Sequence, residues 1–149
     1  MFQGCAKLAD IRPLENWNVK NGNDFTFMFN DTKLSSLNPL KNWNVSKGEK
    51  FGLMFGRCFS LKNLEGLEKW NVSNGFYFND IFSECKFLSN IKAIENWNVS
   101  NRINFNAMFE KTKISDLKPL ENWNVSNGIE FKKMFYLCAL ISDIKPLRN

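Results

Sequence analysis

Met54-Phe55-Gly56-Arg57-Cys58-Phe59-Ser60-Leu61, with Leu64 and Leu67 beyond it and Trp70-Asn71-Val72-Ser73 at its end, is one copy of a pattern that runs the length of the chain. Tryptophan marks its period: Trp17, Trp43, Trp70, Trp97 and Trp123 stand at steps of 26, 27, 27 and 26 residues. Eleven residues after each comes a second signature, Met28-Phe29, Met54-Phe55, Ile81-Phe82, Met108-Phe109 and Met134-Phe135. A fixed period of about 20–50 residues marks a repeat architecture. No linker or shift of composition interrupts it, so residues 1–149 read as a single repeat array of about five repeats, partial at both ends. Met1-Phe2 falls in the Met-Phe column, and Asn149 stands where Asn96 does, just before a Trp. Terminal repeats of an array need a polar cap to stay soluble, and the sequence writes none. The expectation is an array that continues, or ends that something else covers.

Within a repeat the apolar spacing changes twice. Phe25, Met28, Phe29 and Thr32 sit at i, i+3, i+4 and i+7, as do Phe51, Met54, Phe55 and Cys58, and the same holds from Phe78, Phe105 and Phe131. That spacing predicts one face of a short α-helix, too short to stand without neighbours. Asn21-Gly22, Asn74-Gly75 and Asn127-Gly128 precede it as turns. Ahead of each Trp the spacing becomes three, as in Leu34, Leu37, Leu40 and Trp43, and then two, as in Trp43 and Val45 or Trp70 and Val72, which predicts a short strand. Pro13, Pro39, Pro119 and Pro146 lie in its approach. L-x-x-W-x-V follows the apolar spacing of a leucine-rich repeat. The predicted fold class is therefore α/β: a curved, right-handed, leucine-rich-repeat-like solenoid with one short strand and one short helix per 26–27-residue repeat. Curvature follows because strands pair at about 4.8 Å while packed helices need about 8–10 Å.

The two signatures resemble the BspA-like bacterial surface repeats of similar length, whose Asn-Trp motif matches Asn96-Trp97-Asn98-Val99-Ser100-Asn101 and whose Met-Phe-x-x-Cys-x-x-Leu motif matches Met54 to Leu61. The resemblance covers the whole chain. It implies a leucine-rich-repeat-like fold, a role in adhesion or interaction, no catalysis by the repeat, and a cell-surface or extracellular location. Two features differ from that family: the Asn-Gly turn, and an N-terminus without the basic-then-apolar build of a signal peptide.

Composition narrows the chemistry. Apolar residues make up 44% and charged residues 23%, which excludes a disordered tail, and no apolar run reaches the roughly 20 residues of a spanning helix. Histidine is absent, removing the commonest general base and metal ligand. No nucleophile–base pair or phosphate loop is written, so the reading is not an enzyme, with no catalytic residue, no cofactor and no metal. Cys5, Cys58, Cys85 and Cys138 share one column with Thr32 and Thr112, which reads as small buried side chains and free thiols. Cys58 and Cys85, in adjacent repeats, are the pair a bridge would use; without Cys-x-x-Cys or His, zinc is disfavoured.

Two surfaces are candidates for binding. Asn16, Asn18, Asn42, Asn44, Asn71, Asn96, Asn98, Asn122 and Asn124 flank the Trp column and alternate outward. They read either as an amide ladder like stacked Asn in cross-β arrays or as a polar strip for a peptide or glycan. Asn44, Asn71, Asn98 and Asn124 open Asn-x-Ser sequons and Asn30 an Asn-x-Thr, though the first four are simply the repeat. Phe27, Phe59, Phe76, Tyr77, Phe87 and Tyr136 stand where other repeats hold polar residues, and aromatics are favoured at interfaces. The net charge of +5 is spread as single lysines, and the column of Lys33 and Lys113 is interrupted by Ser60 and Phe87, which argues against nucleic acid. The function expected is a non-catalytic protein-interaction or adhesion module with a protein or glycan partner. The alternative is a structural subunit of a larger assembly, such as a particle or surface layer, stacked end to end with itself or with further repeats.

Overall fold

The computed structural model describes residues 1–101 and 103–148. Among them there is no α-helix and no β-strand; the only regular elements are five three-residue 3₁₀ turns, Arg12–Leu14, Asn38–Leu40, Lys92–Ile94, Lys118–Leu120 and Lys145–Leu147. The α/β, leucine-rich-repeat-like solenoid expected from periodicity is therefore not what forms. The chain instead winds into stacked irregular coils, one per 26–27 residues.

The predicted helix is replaced by overlapping β-turns. The N–H of Met54 donates to the Phe51 carbonyl at 3.1 Å, that of Gly56 to Leu53 at 3.1 Å and that of Cys58 to Phe55 at 3.2 Å. The intervening N–H groups leave the coil. Phe51, Leu53, Phe55 and Arg57 donate to the carbonyls of Tyr77, Asn79, Ile81 and Ser83 in the next coil, at 2.7–3.0 Å. The third residue of alternate turns is left-handed, with φ of 55° at Leu53 and 60° at Arg57, as a type II turn requires. Four-residue turns place apolar side chains inward at the same i, i+3, i+4 and i+7 positions that a helix would use, so the spacing does not separate the two. The turns win because they let identical rings stack. Phe2, Phe29, Phe55, Phe82, Phe109 and Phe135 form one ladder at 5.7–5.9 Å between centroids.

The predicted strand is likewise absent. Trp43 and Val45 are buried, but parallel pairing is confined to single bridges, Asp24 to Lys50, Lys50 to Tyr77, Tyr77 to Asn104 and Asn104 to Glu130, just ahead of the first Phe of each coil, and one more from Asn63 to Asn90. With neither strand nor helix, the width mismatch that predicted curvature has no basis, and the right-handed strand-helix winding of the expected fold class goes with it. The three-residue spacing before Trp is a run of i to i+3 turns, with Leu40 donating to Leu37 and Trp43 to Leu40. Pro13, Pro39, Pro119 and Pro146 sit inside the 3₁₀ turns, where a fixed φ helps and a missing N–H costs nothing. Gly66 takes that proline column with φ of 107°, and a Cβ there would run into the Leu37 carbonyl. The Asn-Gly turns are present, Gly75 donating to Val72 at 2.8 Å and Gly128 to Val125 at 2.8 Å.

Tryptophan fastens coil to coil. Trp43, Trp70, Trp97 and Trp123 donate their indole N–H to the carbonyls of Leu14, Leu40, Leu67 and Ile94, at 2.9–3.2 Å. Each of those carbonyls also accepts a backbone N–H from the Trp of its own coil, using both lone pairs. Trp43 and Trp70 each pack on two Phe rings of the preceding coil, at 6.2–6.5 Å. Trp17, with no coil before it, is 41% exposed.

The step length also has a cause. The 26-residue steps contain Thr32 and Thr112, the 27-residue steps Cys58 and Cys85. After Cys the chain closes another turn, Leu61 donating to Cys58 at 3.1 Å. After Thr it skips one residue, and Lys33 donates instead to Leu8 of the coil before at 2.9 Å.

Two outcomes follow. Arg57→Gly should be more stable than Arg57→Ala by about 1 kcal/mol, because only glycine adopts φ near 60° without cost; urea midpoints in the opposite order would restore the helix. Trp70→Ala should cost about 3–5 kcal/mol and Trp17→Ala clearly less; equal midpoint shifts would contradict the Trp-fastened stack.

Candidate interaction surface

The asparagines flanking Trp are all exposed. No bond links one to another, so the amide ladder expected of them does not form. Asn44, Asn71, Asn98 and Asn124 instead accept the N–H of Ser46, Ser73, Ser100 and Ser126 at 3.1–3.2 Å, closing Asx turns. Asn18 does the same for Lys20 at 3.3 Å. Asn16, Asn42, Asn96 and Asn122 point to solvent. The coil-to-coil ladder belongs to a different column: Asn74 and Asn127 donate to the Ser46 and Ser100 carbonyls at 2.8 Å, and Asn101 to that of Ser73. Asn74 and Asn127 open Asn-Gly turns in the sequence, whereas Asn21 of the first such turn accepts from Lys47 Nζ at 3.2 Å. Asn30 is buried and donates to the Gly56 carbonyl at 2.9 Å, so its sequon is closed in the folded chain.

The six aromatics separate into groups. Phe27 and Phe59 are half-buried. Phe59 is flanked by Arg57 at 5.8 Å and Lys86 at 5.3 Å, Phe87 is covered by Lys113 at 5.1 Å, and Tyr136 by Lys133 at 5.5 Å. Those rings meet cations of their own chain. Phe76 and Tyr77 are adjacent, 41% and 49% exposed, and beside a shallow polar recess lined by Asn21, Asn23, Lys47, Glu49 and Asn74.

The cysteines are all free thiols. Cys58, Cys85 and Cys138 are buried, and their Sγ atoms donate to the carbonyls of Phe29, Phe55 and Phe109 at 2.9–3.3 Å. Cys5, in the first coil, is exposed, against the expectation of a uniformly buried column. Burial pushes the Cys58 thiol up to about 11 and raises the Cys85 thiol well above its ordinary value. Among the described residues no group of three or more His, Cys, Asp or Glu is placed to hold a metal ion.

The uncovered end expected of the array is seen at the last coil. Leu120, Trp123, Val125, Phe131, Phe135 and Leu147 line an apolar groove of about 550 Å³. Phe131 is 43% exposed, whereas Phe51, Phe78 and Phe105 of the same column are sealed by the coil that follows. These residues belong to the regular core columns, so composition alone did not set them apart.

A column of identical coils, each closing on the next, defines a tandem-repeat protein. The family model described as "Mycoplasma protein of unknown function, DUF285" matches residues 1–91 and again residues 54–146. The chain belongs to that family. The match does not by itself identify the repeats as BspA-like. No curated protein matches the chain. Among the described residues, no helix is long and apolar enough to cross a membrane.

The raised thiols give a pH dependence. Cys58 has a folded value near 11 against an ordinary 9.0, so its contribution is complete below pH 9 and is lost as pH rises toward 11. Relative to Cys58→Ser, the wild type should lose roughly 2–3 kcal/mol of stability across that window; parallel urea midpoints from pH 8 to 11 would contradict it.

Proposed function

We propose that the chain is a non-catalytic interaction or adhesion module whose partner is a protein or a glycan. The observation that carries this is the pair Phe76 and Tyr77. Other coils place Asn23-Asp24, Glu49-Lys50 and Ile103-Asn104 at those positions, so the coil does not dictate two aromatics there. They lie exposed beside polar amides and an ion-bearing recess, the mixture of stacking faces and hydrogen-bonding groups that sugars and peptides use. Further support comes from how the reactive side chains are employed. The buried thiols hold carbonyls and the flanking asparagines close turns, which leaves a scaffold with a variable surface. The resemblance of the two signatures to BspA-like surface repeats points the same way.

The second reading is a structural subunit of a larger assembly, joined end to end. It is favoured by the last coil, where Ile144 is 70% exposed, Leu137 57% and Leu140 55%.

A printed glycan array and a displayed peptide library separate the readings. The module should bind a restricted set of probes, and Phe76→Ala with Tyr77→Ala should abolish that binding while changing stability by no more than about 0.5 kcal/mol per site. Unchanged binding by the double variant would sink the assignment. Light scattering that grows over a tenfold rise in concentration would support the assembly subunit instead.

A further inference from the structure

The recess beside Phe76 is built from two columns of side chains that the coils lay two residues apart. Asn23, Glu49 and Phe76 form one column, tied by the Glu49 N–H to the Asn23 carbonyl and the Phe76 N–H to the Glu49 carbonyl, both at 2.9 Å. Asn21, Lys47 and Asn74 form the other. Between them run Gly22, Gly48 and Gly75, where a Cβ would meet the core rings of Phe25, Phe51 and Phe78 at 2.3–2.8 Å, so bare backbone separates the columns. Lys47, Glu49, Asn74 and Phe76 lie in coils with a neighbour on either side, so the recess does not depend on the ends of the stack. It encloses about 470 Å³, within the roughly 300–1,000 Å³ of small-molecule sites.

The groups that line it include both donors and acceptors. Lys47 Nζ gives one bond, to Asn21 Oδ1 at 3.2 Å, and Asn74 Nδ2 gives one, to the Ser46 carbonyl at 2.8 Å. Among the described residues the Glu49 carboxylate and the Asn23 carboxamide have no side-chain partner. Phe76 is 41% exposed, and among the described residues no cation covers its ring as cations cover Phe59, Phe87 and Tyr136. One lysine against one glutamate leaves the recess without net charge. Its main chain is closed to strand addition: Gly48 and Gly75 donate to Val45 and Val72, and Glu49, Phe76 and Tyr77 donate to the coil before. An extended peptide therefore finds no free N–H on these residues.

We infer that the recess binds a neutral glycan through a single pyranose. The sugar lays its C–H face on the Phe76 ring, which offers a broad apolar surface. A hydroxyl both donates and accepts, so one hydroxyl gives its hydrogen to the Glu49 carboxylate while accepting from Lys47 Nζ, and its neighbour bonds the Asn23 carboxamide. The absence of net charge selects a neutral sugar over a sulfated or carboxylated one. Tyr77 does not line the recess and takes no part in the contact. The inference rests on the reading of the chain as an interaction module and narrows the partner of that same surface.

The test is a printed array of neutral and acidic glycans, followed by titration of the full ¹⁵N-labelled chain with the neutral glycan that binds most tightly. Binding confined to neutral glycans is expected, with saturable shifts at the amides of Gly48, Glu49, Gly75 and Phe76. Phe76→Leu, which keeps an apolar side chain without a ring, should weaken binding at least tenfold, and Glu49→Gln at least threefold. Tyr77→Ala should leave it within twofold. All three side chains are exposed, and the urea midpoint checks that each variant folds; should one not fold, the choice between neutral and acidic glycans and the place of the shifts in the wild type still decide. The inference is overturned if no neutral glycan binds, if acidic glycans bind as tightly, if the shifts centre away from the recess, or if Phe76→Leu or Glu49→Gln binds like the wild type. It is overturned as well if Tyr77→Ala weakens binding as much as Phe76→Leu. Displayed peptides that bind through Phe76 and Tyr77 while no glycan does would remove this inference and leave the interaction module standing. Failure of glycans and peptides alike would remove both.

Discussion

Backbone hydrogen bonding in this protein is divided between two directions, and the division governs everything built on it. Along the Phe-to-Cys stretch, alternate N–H groups close turns within a coil while those between them donate to the following coil. A helix would keep all of them inside the segment, and a strand would send them all sideways. Splitting them requires a left-handed residue at alternate turns, and the chain accepts it at non-glycine positions such as Leu53, Arg57 and Lys133. The cost, of order 1–2 kcal/mol per residue, is offset by what the geometry allows: Phe over Phe, Trp into the coil below, and a core in which Leu34, Phe55, Leu61 and Phe82 are fully buried.

The tandem period and its core columns were readable without coordinates, because burial repeats where sequence repeats. Phe29, Met54, Leu64 and Trp97 are all inside, as their columns required. Secondary structure was not readable. An apolar residue at every third or fourth position is shared by a helix face and a run of four-residue turns, and spacing carries no φ. The left-handed non-glycine positions hold Phe, Leu, Arg, Ala, Lys and Glu as well as Asp31 and Asp80, so the usual glycine or asparagine marker was missing and aspartate marked only two of them. The alternation of Trp and Val was real, but none of the isolated bridges falls on those residues, so the segment forms no strand.

The candidate surfaces fared unevenly for the same reason. A column of asparagine announces itself, yet its geometry is set by where each coil turns. The residues beside Trp cap Ser N–H groups in their own coil, and Asn74 and Asn127 of the Asn-Gly turns reach the carbonyl of the coil before. The exposed pair Phe76 and Tyr77 could be picked out because it breaks the repeat. An uncovered end was expected because no polar cap is written, but the residues of its groove obey the repeat; only the absence of a ring above Phe131 distinguishes them. The coupling of Thr32 and Thr112 to the shorter step was present in the sequence throughout, but its meaning needed the Lys33 bond to Leu8.

Along the Phe-to-Cys wall the bonds between coils run one way, from N–H on the N-terminal side to carbonyl on the C-terminal side, whereas Lys33, Glu49, Ser89 and Lys113 donate back to the coil before. Peptide dipoles aligned head to tail sum along an axis, so that wall carries an electrical polarity, which the returning bonds elsewhere in each coil oppose. Its sense is opposite to that of an α-helix: the unpaired N–H groups gather on the last coil, which becomes the positive pole. Lys132 and Lys133 lie on that coil and add to it. Carboxylates are therefore drawn to one end of that wall and ammonium groups to the other, and a single kind of cap does not suit both.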